Sequence, residues 1–141
     1  MKKQLTKSEK VAMSITDIAK AVRKDLKAEF GKNIKFSVRS QKFSGGTSLT
    51  VKIKKCAIDF IKSEEEFDEE HMDFRLQNPD VYKNLKRRYH RNDIIAVKDE
   101  VKERIDGIVN FYNFDESEPM YDYFCVNFYY HGVGGSDIEV I

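Results

Sequence analysis

The sequence has no tryptophan and only two prolines and two cysteines among its 141 residues. The cysteines, Cys56 and Cys125, are too few for a disulfide framework, and neither has the CxxC or HxxxH spacing of a zinc site. They predict free thiols in a reducing cytoplasm. We expect no disulfide, metal or cofactor. A metal site would need the fold to bring Cys56, Cys125 and a histidine such as His131 together.

Long apolar runs are also missing. No stretch approaches the roughly 18 apolar residues that a membrane span requires. The basic residues 2–7 are followed by no apolar run, so they do not predict a signal peptide. We therefore expect a cytoplasmic protein without a membrane partner.

Positive side chains are missing from the last quarter of the sequence. Residues 105–141 contain no Lys or Arg and seven acidic residues, whereas residues 1–55 contain 15 basic and four acidic residues. The net charge of +1 therefore conceals a strong asymmetry. Such asymmetry affects association with partners rather than the fold. It predicts separate positive and negative poles on the surface.

Two alternating segments around a glycine turn predict an antiparallel hairpin. Ile34, Phe36 and Val38 alternate with polar residues before the turn, and Leu49, Val51 and Ile53 alternate after it. Period-two alternation on both sides of Ser44-Gly45-Gly46 is typical of half-buried paired strands. One face of this hairpin must be covered by other elements.

Two segments with helical patterns of apolar residues can cover this face of the hairpin. The first begins at Ser14, has a capping-box-like Asp17 and ends near Gly31. Its apolar residues lie on one face: Ile15, Ile18, Ala19, Val22, Leu26 and Phe30. The second is capped by Asn92 or Asp93, and its stripe comprises Ile94, Val97, Val101, Ile105, Ile108 and Tyr112.

A second hairpin is predicted near the end of the sequence. Tyr121–His131 alternates as a strand, glycines at 132, 134 and 135 suggest a turn, and Ile138 and Val140 suggest a last strand. The predicted fold class is α+β, with two layers: an antiparallel sheet of about four strands in two hairpins, packed against two main helices. Residues 1–13 form a flexible basic arm. Residues 14–141 form a single domain with an insert at 57–92.

The insert contains the most unusual charges. An acidic run with a weak apolar edge is followed by a basic helix, and we predict that both bind a protein partner. The predicted partner-binding residues are Glu64, Glu65, Glu66, Asp68, Glu69, Glu70, Asp73, Lys86, Arg87 and Arg88. The alternatives are a solvated connection whose like charges repel, or a weak divalent-cation site, which would lack the usual glycine-containing loop.

A nucleic-acid interface is the alternative function. Its residues would be the basic hairpin face and part of the basic helix: Lys35, Arg39, Lys52, Lys54, Lys83 and Arg91. Lysines on an exposed hairpin also protect against edge pairing, and aromatic residues are not interleaved with these cations. Both interpretations remain open.

Several short motifs resemble a known family. They are Ile18–Lys27, Phe36–Arg39 and Ser44–Ser48, followed by Asn113–Asp115, Asp122–Phe124 and Asn127–Tyr129. Together they resemble the large-polyvalent-protein-associated domains of phage and plasmid proteins, from about Ser14 to Gly132. The acidic run departs from that pattern.

The resemblance implies a function and brings no catalytic residues. It implies a non-enzymatic accessory protein of a mobile element that acts in the host cell. The expected activity is inhibition of a host defence effector, such as a CRISPR–Cas nuclease, by binding through charged surfaces.

Overall fold

The computed structural model describes residues 5–113 and 127–141 of the chain. Within these ranges the fold is α+β, as the sequence predicts. Six helices are present: α1 (Lys7–Ala12), α2 (Ile15–Phe30), α3 (Glu64–Glu70), α4 (Met72–Gln77), α5 (Pro79–His90) and α6 (Asp99–Asn110). The three strands are β1 (Ile34–Phe43), β2 (Gly46–Cys56) and β3 (Glu139–Val140). None of these helices is long and apolar enough to cross a membrane.

Helix α2 begins and ends where the sequence predicts. The Ser14 hydroxyl accepts a hydrogen bond from the Asp17 amide at 3.1 Å, which satisfies one of the free amides of the first turn. Gly31 ends the helix with a φ of 56°, a conformation that favours glycine. All six residues of the predicted apolar stripe are buried.

The first hairpin is confirmed. Strands β1 and β2 pair antiparallel through a two-residue loop, Ser44-Gly45, from Phe43↔Gly46 to Ile34↔Cys56. Helix α2 packs on one face of this pair and also contacts α6. The core lies between these elements, and β2 contributes Leu49, Val51 and Ile53 to it.

A β-bulge changes which face the end of β2 presents. Lys35 pairs with Lys55 and Phe36 pairs with Ile53, so Lys54 is an extra residue without a pairing partner. Uninterrupted alternation would direct Lys55 towards the core, because a shift of one residue exchanges the faces of a strand. The bulge instead buries Cys56 and leaves Lys54 and Lys55 outside.

The predicted second hairpin does not form within the described residues. Much of its first strand lies outside them, and residues 127–141 run along β2 in one direction. Parallel pairing joins Tyr129 to Ser48, Gly134 to Lys52 and Glu139 to Lys55. In residues 5–113 and 127–141 the strand order is β1-β2-β3, three strands where about four are predicted for the whole chain. The buried residues of this segment are Phe128, Val133 and Ile138. They recur at every fifth position, so no regular two-residue alternation operates here.

Two asparagines of the family-like closing motif hold the final segment. The Asn113 amide group donates to the Phe128 carbonyl at 3.0 Å and accepts from the Phe128 amide at 3.2 Å. The Asn127 side chain donates to the Tyr112 carbonyl at 2.8 Å and to the Lys10 carbonyl at 3.1 Å. Both side chains replace backbone partners that an irregular segment lacks.

The basic arm is partly ordered, contrary to the prediction for residues 1–13. Thr6 and Glu9 form a capping box at the start of α1. Lys10 is buried, and its ammonium group donates to the Asn113 carbonyl at 2.8 Å. The basic composition therefore conceals a short helix fixed by one buried cation.

The second main helix begins later than predicted. Asp93 caps only a 3-10 turn, Ile94–Ala96, and Val97 is extended and pairs with Ile61. Helix α6 therefore starts at Asp99. Val97, Val101, Ile105 and Tyr112 are buried as predicted, and Val109 beside them is buried too, whereas Ile94 and Ile108 are only half-buried.

Candidate functional site

The insert is a compact arrangement of three helices. The Ser63 hydroxyl accepts from the Glu66 amide at 3.1 Å and caps α3. His71 separates α3 from α4, and Pro79 starts α5, where its missing amide proton costs nothing. The acidic run therefore lies on helices that fold back against the basic helix.

A stack of three rings forms the centre of the insert. Phe67 is fully buried, and its ring centroid lies 4.2 Å from that of His71 and 4.7 Å from that of Tyr89. Both contacts are nearly parallel, with interplanar angles of 29°. The Tyr89 hydroxyl donates to the Lys62 carbonyl at 2.7 Å, so this stack also fixes the chain where the insert begins.

Lys86 neutralises two carboxylates of the acidic run. Its ammonium group lies 3.0 Å from the Glu64 carboxylate and also bonds Asp68, which accepts a further hydrogen bond from Tyr82. The same ammonium group is 5.8 Å from the ring centroids of Phe67 and Tyr89. Its carboxylate neighbours raise the pKa of Lys86 despite desolvation, so the lysine remains charged.

Lys62 joins the insert to α6. Its side chain is only 4% exposed, and its ammonium group lies 2.7 Å from Glu70 and 3.3 Å from Asp99. Two carboxylates therefore compensate one buried cation, as burial of a charge requires. Lys62 is not among the site residues predicted from the sequence, although it is a lone cation directly before seven acidic residues.

These pairs correct the expectation of separate charged poles, at least within the insert. The acidic run and the basic helix lie side by side, and each neutralises part of the other. Five predicted partner-binding residues have internal ionic partners: Glu64, Asp68, Glu70, Lys86 and Arg88, the last of which pairs with Asp93. Across residues 5–113 and 127–141, the remaining five have no ion pair: Glu65, Glu66, Glu69, Asp73 and Arg87.

Helix α4 is covered by little of the described chain. All six of its residues are exposed, among them Met72, Phe74 and Leu76, and Val81 is exposed at the start of α5. Met72 and Leu76 are four residues apart and share one face of α4, whereas Phe74, two residues from each, lies on another face. Large apolar side chains exposed at the surface are typical of interaction sites. The sequence predicts only a weak apolar edge for the acidic run, so it gives no signal that these side chains are exposed.

The Asp68 pair should make the insert sensitive to acid. Hydrogen bonds from Lys86 and then from Tyr82 lower the pKa of Asp68. A carboxyl group whose pKa is lower in the folded than in the unfolded chain stabilises the fold at any pH above its unfolded pKa, which is about 4 for Asp. This stabilisation is lost as the pH falls through the pKa of the folded state. We expect Asp68→Asn to cost about 1 kcal/mol at pH 7, the scale of a partly exposed ion pair.

Urea unfolding at pH 7 and at successively lower pH measures this difference. The stability gap between wild type and Asp68→Asn should shrink below about pH 4. Glu103→Gln, which removes an exposed carboxylate from the middle of α6 that has no ion pair in the described chain, is the matched control and should change little at either pH. A gap that is constant with pH would show that Asp68 contributes no charge-dependent stability.

The predicted nucleic-acid residues lie on two different elements. Lys35, Arg39, Lys52 and Lys54 are exposed on β1 and β2 and have no ion pair within the described parts of the chain. Lys83 and Arg91 lie on and just after α5, which packs against α4 and the 3-10 turn Ile94–Ala96. The hairpin supplies four of the six predicted cations.

Cys56 has the properties of a core residue. It is fully buried, and burial raises the pKa of its thiol to about 11, so little reactive thiolate forms at neutral pH. Cys125 lies outside the described residues, so the convergence of Cys56, Cys125 and His131 that a metal site would need is not tested. Among the described side chains, no group of three or more His, Cys, Asp or Glu residues is arranged to hold a metal ion.

Comparison with known proteins identifies the family. No curated protein and no solved structure matches this chain. A family model described as large polyvalent protein associated domain 29 matches residues 13–111. The match covers α2, the first hairpin, the insert and α6, and it ends before the closing motif at Asn113–Tyr129. The resemblance to the large-polyvalent-protein-associated domains is thereby confirmed: the chain belongs to the large polyvalent protein associated domain 29 family.

Proposed function

We propose that this chain is a non-enzymatic accessory protein of a mobile element that binds and inhibits a host defence effector, a nuclease of the CRISPR–Cas type. Binding takes place through the outer surface of the helical insert. Family membership supports the mobile-element context. The observation that carries the proposal is the exposure of the large apolar side chains of α4, a helix that also carries Asp73, which has no ion pair within the described part of the chain.

The free carboxylates are arranged to meet a basic partner. Glu65 and Glu69 are four residues apart, so they share one face of α3, and Asp73 continues the acidic surface on α4. Grooves that hold nucleic acid in nucleases are lined by Lys and Arg. Closely spaced carboxylates attract the same cations that phosphates attract.

The apolar side chains supply the other part of such an interface. Met72, Phe74 and Leu76 are exposed by 42%, 44% and 74%. Apolar anchors surrounded by charge are the usual composition of a protein interface, in which a few central side chains contribute most of the affinity. A purely electrostatic surface would not need them.

Internal pairing prepares this surface for binding. Lys62 and Lys86 fix Glu70, Glu64 and Asp68 against the body of the insert. The helices that carry Glu65, Glu69 and Asp73 are thereby held in place before a partner arrives. Less conformational entropy is lost on association when a surface is already ordered.

The test is binding to purified Cas9–guide RNA complexes by biolayer interferometry, together with inhibition of plasmid cleavage. The triple variant Glu65→Gln, Glu69→Gln, Asp73→Asn should bind at least about 10-fold more weakly, because three charge contacts are lost. Phe74→Ala should weaken binding to a similar degree without lowering stability.

The matched control neutralises three exposed carboxylates elsewhere: Asp59→Asn, Glu100→Gln and Glu103→Gln. It changes net charge equally and should alter binding less than about 3-fold, because charges remote from an interface are screened. Equal weakening by both triple variants would reject the acidic surface as the binding site. Absence of both binding and inhibition by the wild-type chain would reject this class of effector.

A further inference from the structure

Two basic hollows lie on either side of the edge strand β1. The first, of about 450 Å³, is lined by five cations: Arg23, Lys27, Lys32, Lys35 and Lys55. The second, of about 340 Å³, lies on the open face of the hairpin and contains Arg39, Lys52 and Lys54. Among the described residues, no Asp or Glu side chain lines either hollow.

The β-bulge brings the two hollows together. Lys35 and Lys55 are directly opposite each other across the strands, and the extra residue Lys54 immediately precedes Lys55. Like charges placed opposite each other destabilise a sheet. Of these three lysines only Lys55 has an ion pair among the described residues, with Glu139 at 3.3 Å, and both of those side chains are substantially exposed. The sheet therefore concentrates positive charge at this point and compensates only part of it.

The two hollows differ in the polarity of the residues that line them. The open-face hollow is polar throughout, since Ser37, Ser40, Gln41 and Thr50 accompany its cations. The edge hollow has an apolar floor of Ile34, Phe36 and Ile141 beneath its cations. Hydroxyl, amide and cationic groups suit phosphate oxygens, and an apolar floor with an aromatic ring suits the face of a base.

We propose that the two hollows form one binding track for single-stranded nucleic acid. The phosphates lie along Arg39, Lys52, Lys54 and Lys35, and a base enters the edge hollow over Phe36. A single strand is flexible enough to cross the edge of β1 from one hollow to the other. A duplex is stiff over about 50 nm and cannot follow that path.

This site is independent of the helical insert. The track uses α2 and the hairpin, whereas the proposed effector surface uses α3 and α4. The chain therefore presents a basic surface for nucleic acid and an acidic surface for protein. Either proposal can fail without affecting the other.

The test measures fluorescence anisotropy of a labelled 20-nucleotide oligo-dT and the equivalent oligo-U at several salt concentrations. The variant Lys35→Gln, Lys52→Gln, Lys54→Gln should bind each strand at least about 10-fold more weakly. In a plot of log affinity against log salt concentration, the slope for this variant should be shallower by about 2. Each lost phosphate contact reduces the slope by roughly 0.7 for a single strand. A 20-base-pair duplex should bind more weakly than either single strand.

The control Lys20→Gln, Lys24→Gln, Arg75→Gln removes the same charge from exposed positions outside both hollows. It should change affinity less than about 3-fold. All of the substituted side chains are exposed, so thermal melting should show both triple variants folded. The proposal is overturned by equal weakening in the two variants, by preference for the duplex, or by no binding of the wild-type chain to either strand.

Discussion

Phe67→Ala is expected to unfold the helical insert while the sheet remains folded. The Phe67 ring is fully buried between His71 and Tyr89, so its removal leaves a cavity at the centre of the insert. Truncation of a buried Phe costs about 3–5 kcal/mol. Because α4 and α5 bury no residue of their own, few other contacts compensate for this loss. Hydrogen exchange should show lost protection in α3–α5 and retained protection in β1 and β2.

Phe74→Ala is the matched control for this prediction. Phe74 lies one helix later and is 44% exposed, so its truncation should cost less than about 1 kcal/mol. Equal loss of protection in the hairpin and in the insert after Phe67→Ala would show that they unfold as one unit. That result would contradict the independence of the insert.

Leu26→Ala should destabilise the whole chain. Leu26 is fully buried on α2, the helix that packs against β1, β2 and α6. Truncation of a buried Leu to Ala costs about 2–5 kcal/mol, which is a large part of the stability of a typical small domain. Urea unfolding followed by circular dichroism should show a lower midpoint with a similar slope.

Leu76→Ala makes the same chemical change at a position that is 74% exposed. Its free energy of unfolding should remain within about 0.5 kcal/mol of wild type. If Leu26→Ala were equally mild, the packing of α2 on the hairpin could not be the main source of stability.

The local parts of the fold could be predicted because short-range chemistry determines them. Ser14 and Gly31 mark the ends of α2, and alternation around Ser44-Gly45 determines the hairpin. Each signal lies within a few residues of the feature that it specifies. A helical face or a two-residue loop needs no knowledge of distant contacts.

The remaining parts depend on contacts that are distant in sequence. The bulge at Lys54 results from the pairing of β2 with β1, and the extended conformation of Val97 results from its pairing with Ile61. Apolar residues near the end of the sequence suggest strands but give no direction, so the parallel course of residues 127–141 could not be read from them. Tertiary pairing overrides local pattern at these positions.

The candidate site was predictable in composition but not in arrangement. The sequence shows that residues 64–73 are acidic and that residues 83–91 are basic. It does not show that Lys86 is directed at Glu64 and Asp68, or that Lys62 is buried. Charge density is a property of a segment, whereas pairing is a property of the folded chain. The structure therefore divides one acidic run into anchoring carboxylates and free ones.

The parallel course of the final segment also determines the order of assembly during translation. One edge of β2 is covered by β1 as soon as the hairpin closes, and its other edge is covered, within the described part of the chain, by residues 129–140. A nascent chain that ends before those residues has an uncovered strand, which is a template for unwanted pairing. Completion of the sheet must wait until this segment leaves the ribosome, so chaperone contact with the unfinished chain is expected at β2.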